Sequence, residues 1–207
     1  MANLVDLAND ALAAIGAAGS TNVPFIASLD DARNEAVVCK RFLAPTDKSM
    51  SLMATILEFH DWNCARGRAE LAAQATAPIF GFSYSYVLPP DYLKVRRING
   101  SETVIYKVEG TAILTNEVSP IFLEYTRFEI DPNKWSPGVK ECMSLLLQSK
   151  LAVPLKSDRD LANDLRDALW GNRGKGIEGA IFHAASVDGV EGSQETQTTP
   201  DLLEVRG

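Results

Sequence analysis

His60, Asp61 and Cys64 lie within five positions of one another, with Trp62 among them. A thiol and an imidazole this close could form a nucleophilic pair, the ring taking the thiol proton. At the end of a helical stretch, however, capping or packing is the preferred role for such a histidine. The run Gly171-Asn172-Arg173-Gly174-Lys175-Gly176 has the glycines and the lysine of a phosphate-binding loop. It lacks the Walker spacing and the Ser or Thr after the lysine, and it follows a helix where that motif needs a strand. A break within a helix is the better reading. Cys39, Cys64 and Cys142 are odd in number and form no CxxC pair. With only His60 and His183 to join them, they read as buried small hydrophobes in a reducing environment. Asp30 and Asp31 could bind a metal, but two acids opening a helix are explained by its dipole. His183 has no carboxylate at ligand spacing. The sequence predicts no catalytic residue, metal or cofactor, and the chain reads as a non-enzyme.

Phe82, Tyr84 and Tyr86 alternate on one strand face and could stack nucleic-acid bases. No basic residue interleaves with them between Arg68 and Lys94, so packing in a core or an interface is favoured. The formal charge of −7 opposes adhesion to phosphate backbones, since that affinity comes from Lys and Arg displacing counterions. Contact with DNA without tight binding remains compatible with it. The opening residues, Met1 to Asp6, lack a basic segment and predict no signal peptide. No apolar run reaches the ~18 residues of a membrane span.

The elements that must position these residues follow from periodicity. Leu4, Leu7, Ala8, Ala11, Leu12 and Ile15 recur at helical spacing, and Gly16 can close that helix. Ser28, Asp30 and Asp31 are expected to open a second helix using Ala32, Ala36, Cys39, Phe42 and Leu43. Pro45 interrupts it, and helix resumes over 49–59. Four or five short strands are expected over 81–87, 92–98, 104–108, 112–114 and 121–130, with Asn99-Gly100 as a hairpin turn. Ser136-Pro137 starts a helix broken at Pro154. Ser157 caps another, weakened by glycines at 171, 174, 176 and 179. The stretch 187–207 is polar and acidic and reads as an extended tail. The expected fold class is α+β: an antiparallel helical bundle (1–62 and 136–186), a small antiparallel β-sheet region inserted at 63–135, and the tail.

The order of these features resembles the tail tubular protein A family, the head-to-tail adaptors of short-tailed phages. Trp62-Asn63-Cys64-Ala65-Arg66-Gly67-Arg68-Ala69-Glu70-Leu71 is similar to the family's tryptophan-centred signature, with Cys64 where an aromatic is usual. Phe82 to Val95, containing Leu88-Pro89-Pro90-Asp91, looks like its aromatic strand, Leu-Pro-x-Asp corner and following strand. Tyr106 to Gly110 with Ile113-Leu114-Thr115, Leu123-Glu124-Tyr125, Asp131, and Leu151 to Leu155 follow in order. Ala11-Leu12, Ile15-Gly16, Ser28 to Asp31 and Ala36 fit at the start. The resemblance spans about residues 3–186.

It implies a structural virion protein: a ring of about twelve copies between portal and tail, lining the DNA channel. The implied partners are further copies of the chain, the portal protein, the tail tube, nozzle or other tail proteins, and passing double-stranded DNA, with no membrane. The implied location is the virion neck, after assembly in the host cytoplasm. Trp62, Tyr84, Tyr86, Leu88, Pro89 and Asp91, with Asp201, Leu202, Leu203, Val205 and Arg206 of the tail, are the expected interface residues. A long-tailed phage adaptor and a monomeric ligand-binding module are the alternatives.

Overall fold

Asn3 opens the first helix by a reciprocal cap: its side chain accepts from the Asp6 N–H, and the Asp6 carboxylate accepts from the Asn3 N–H, both at 2.9 Å. The computed structural model describes residues 3–16, 26–45 and 50–191. In chain order the elements are α1 (Leu4–Ala14), α2 (Asn34–Leu43), α3 (Leu52–Phe59), β1 (Arg66–Leu71), β2 (Tyr84–Val87), β3 (Tyr92–Ile98), β4 (Tyr106–Glu109), β5 (Ala112–Thr115), β6 (Ile121–Arg127), α4 (Pro137–Lys156), α5 (Arg159–Trp170) and α6 (Ala180–Glu191). The chain is therefore mixed helix and sheet. No described helix is long and apolar enough to cross a membrane.

The other helices pack against α4. Its buried residues, among them Val139, Met143, Leu147 and Leu151, form the spine of the larger core. Two small antiparallel sheets, in the orders β1-β6-β3 and β2-β5-β4, together build a second and smaller core around Tyr86, Ile98, Ile113, Ile121 and Leu123.

Local structure departs from the sequence reading at several points. Ser28, Asp30 and Asp31 form a turn before α2 instead of capping it: the Ser28 Oγ accepts from the Asp30 N–H at 3.1 Å, and Asp30 and Asp31 pair with Lys40 and Arg33. Arg33 stands at the N-cap and makes no side-chain capping bond, so Ala32 lies outside the helix. Pro154 does not break α4, because it falls in the last turn, where its missing N–H costs one bond. The Ser157 and Asp158 N–H groups then satisfy the Val153 and Ala152 carbonyls, with Ser157 left-handed at φ 55°. Asp158, not Ser157, caps α5, accepting from the Leu161 N–H at 2.9 Å.

Asn99-Gly100 does turn the chain, with φ values of 52° and 76°. It does not join two paired strands, however. Beyond a single bridge between Ile98 and Ser101 the chain leaves for the other sheet, and β3 pairs with β6 while β4 pairs with β5. Strand β1 lies outside the strands expected from periodicity. Its sequence, Arg-Gly-Arg-Ala-Glu-Leu, has little intrinsic strand character, and pairing with β6 imposes its conformation. Helix α6 runs to Glu191, so residues 187–191 belong to a helix and not to the expected tail. The remainder of that stretch, including Asp201, Leu202, Leu203, Val205 and Arg206, lies outside the described residues.

Candidate interaction surfaces

Trp62 organises the junction between helices and sheets. It follows α3 with none of its surface exposed, and its indole N–H donates to the Ile56 carbonyl at 2.7 Å. Its own carbonyl accepts from Arg96 Nη2 at 2.8 Å, while Arg96 Nε donates to Thr126 Oγ1 at 3.0 Å. A guanidinium from β3 thus ties the end of α3 to the central strand of the first sheet. Burial pulls the Arg96 pKa down, with the Asp61 carboxylate opposing that shift. Asp61 Oδ1 lies 3.7 Å from Arg96 Nε and 3.4 Å from Lys94 Nζ.

The same junction receives α6. The Asp188 carboxylate, 4% exposed, accepts from the Asn63 N–H at 3.0 and 3.3 Å, and Asn63 Nδ2 donates to the Asp188 carbonyl at 2.9 Å. His60 Nε2 lies 3.7 Å from Asp188, and its ring stands edge-on to Trp62. The His60–Cys64 region is therefore a structural clamp. Burial pushes the Cys64 thiol pKa up, against the thiolate a nucleophile requires. Cys39 and Cys142 are buried, and burial pushes both thiols up to about 11. Among the described residues no three metal-ligating side chains converge.

The expected interface residues take other positions. Trp62, Tyr86 and Leu88 are core residues and offer no surface to a partner. Tyr86 donates its hydroxyl to the Glu117 carbonyl at 2.7 Å, and the Leu88 N–H donates to the Thr111 carbonyl at 2.9 Å. The Leu88–Asp91 corner is built into the fold. The Asp91 side chain accepts from the Tyr125 hydroxyl at 3.0 Å and its carbonyl from the Phe128 N–H at 2.6 Å. Tyr84 and Pro89 are half-buried. An alternating aromatic strand satisfies a core as well as an interface, and the smaller core claimed it.

The two most exposed large apolar side chains among the described residues lie in the loop before β2. Residues 72–83 contain no charge, and Ile79 and Phe80 at the tip are 98% and 87% exposed. The loop bends over the outer face of the second sheet and leaves a groove of about 460 Å³ against Ser85, Lys107, Glu109 and Leu114. Ile105 and Val118 add further apolar surface in the sheet region. The signal in the sequence was the twelve-residue uncharged run around Pro78, which periodicity passes over because it matches neither helix nor strand. The paired aromatics beyond it drew the inference instead. No family model and no curated protein matches this chain.

Proposed function

We propose that this chain is a ring-forming head-to-tail adaptor of a tailed phage, placed between portal and tail. In this reading the helices around α4 form an antiparallel bundle, the sheets are an insertion in it, and the assembled ring of about twelve subunits encloses the DNA channel. The observation that carries the reading is the uncharged 72–83 loop, whose Ile79 and Phe80 are more exposed than any other large apolar residue described. Exposed apolar residues at a loop tip mark a surface that a partner covers. The resemblance over about residues 3–186 is what suggests an adaptor ring, and the acidic balance suits a channel that must pass DNA without gripping it. The loop meets a neighbouring subunit or the tail, and residues 201–206 meet the portal once the ring is seated.

Native mass and negative-stain imaging of the protein, alone and mixed with its portal, test this reading. Open-centred rings of about a dozen subunits in either sample are expected. A monomer in both, with the 79–80 tip binding a small ligand or peptide, would favour the ligand-binding module and sink the adaptor.

A further inference from the structure

The helical part holds a second feature that the proposed assembly leaves unexplained. A groove of about 620 Å³ lies between α3, α4 and α5. Leu52, Leu146, Val153 and Trp170 give it an apolar lining, and Lys150, Arg159 and Arg166 give it three cations. Among the described residues no carboxylate lines it, although the residues outside 63–135 carry 19 acids against 12 bases, the whole of the net negative charge. None of the three cations joins a salt bridge among the described residues. Of the nearby acids, Asp158 caps α5, and Asp164 and Asp167 hold Lys175, while Asp160 in the first turn of α5 is not among the groove's lining residues. A groove of mixed lining, with apolar side chains beside three cations that have no ion-pair partner among the described residues, is complementary to an acidic segment with aliphatic side chains.

The chain contains such a segment. Asp201-Leu202-Leu203-Glu204-Val205 combines three aliphatic side chains with two carboxylates. It is also within reach. Helix α6 closes at Glu191, and its Asp188 is held at Asn63, just past the end of α3. Leu52 and Thr55 of the groove lie about one α3 length away, roughly 12 Å at 1.5 Å per residue. The nine residues 192–200 span up to about 30 Å when extended.

We propose that residues 201–205 dock into this groove of their own chain in the free subunit. Leu202 and Leu203 cover the apolar lining, and Asp201 and Glu204 meet Lys150, Arg159 and Arg166. The occupant is the chain's own segment because a short tether holds it at an effective concentration on the order of millimolar, far above that of a separate copy at micromolar protein. The docking belongs to the chain alone and does not depend on which ring it joins.

Zero-length carbodiimide crosslinking of the full chain tests it, since Lys150 brings an amine to the groove. Equal amounts of ¹⁴N- and ¹⁵N-labelled protein are mixed before coupling, and the peptides are read by mass spectrometry. The expected result is Lys150 joined to Asp201 or Glu204 in same-isotope pairs only. In the Leu202→Ser/Leu203→Ser variant that yield should fall at least about fivefold, given the burial energy of two leucines. The crosslink of Lys175 to Asp164 or Asp167 serves as the internal control and should be unchanged. Mixed-isotope pairs would give the groove to a second copy and overturn the proposal. So would the absence of a Lys150 crosslink, or a yield indifferent to the leucines.

Discussion

Among the described residues the larger core, built mainly by the helices, holds 24 buried residues, whereas the two sheets share a core of eight. Charge divides as unevenly: residues 63–135 carry eight acids and eight bases, and the remainder of the chain carries the full −7. An eight-residue core is small for 73 residues, because the fraction of surface that can be buried falls with size. The sheet region compensates at the Trp62 junction, where Arg96 bonds to the helical side and Asp188 holds Asn63. It still leaves Ile79 and Phe80 uncovered. The contrast teaches that the sheet region, with the smaller core, leans on its junction with the helices, and it holds the two most exposed large apolar side chains described.

Severing the junction should have the largest effect. Trp62→Ala leaves a cavity in the larger core and frees the Ile56 carbonyl, so a loss of about 3–5 kcal/mol is expected in urea unfolding. Amide exchange should accelerate in both β3 and α4. If β3 kept its wild-type protection, the sheet region would be standing by itself and the contrast would fail.

A change confined to the sheets comes next. A Cβ at Gly67 would lie 2.6 Å from the Tyr125 ring, which is fixed in the smaller core by Asp91. Gly67→Ala should cost about 1–3 kcal/mol through overpacking. Exchange should rise in β1 and β6 while α4 stays protected. Equal loss of protection throughout would show a single cooperative unit.

The Tyr125–Asp91 bond gives a test by pH. Burial, then the Asp91 hydrogen bond, raise the Tyr125 pKa to about 12 from an unfolded value of 10. Between these values the folded state retains a proton that the unfolded state has lost, so stability falls as pH rises through this window. Below pH 10 both states are protonated and the contribution is fully present. Tyr125→Phe should cost about 1 kcal/mol at neutral pH and show a shallower decline between about 10 and 12. Parallel pH profiles for the two proteins would remove this tyrosine from the account.

The smallest effect on stability should accompany the clearest effect on assembly. Ile79→Ser/Phe80→Ser should change unfolding free energy by less than about 0.5 kcal/mol, because both side chains are in solvent. Ring formation with the portal, followed by sedimentation, should be lost. Normal rings from this variant would show that the loop is not the contact.

Truncation experiments must respect the end of α6. Removing residues from 187 onward would also delete the Asp188 carboxylate that caps Asn63, and would confuse loss of the tail with damage to the junction. A chain ending at Glu191 keeps that clamp.

Most of the helical part could be read from the sequence, because the positions of Ala8, Leu12, Ala36, Cys39 and Leu147 repeat at the spacing that one buried helix face requires. The sheet region was legible as strands and turns but not as a topology. Nothing local distinguishes a partner across a turn from one far along the chain, so Asn99-Gly100 suggested a hairpin while β3 found β6. The candidate site was the least legible. Trp62, Tyr86, Leu88 and Asp91 are residue types that serve a core and an interface equally well, and only packing assigns them. The sequence by itself determined the helix faces, the order of the helices and of the strands after β1, and the placement of charge, all of which depend on near neighbours and composition. The tertiary structure decided the strand partners, the burial of the aromatic anchors, the Asp188 clamp and the exposure of Ile79 and Phe80, because each depends on contacts between residues distant in the chain.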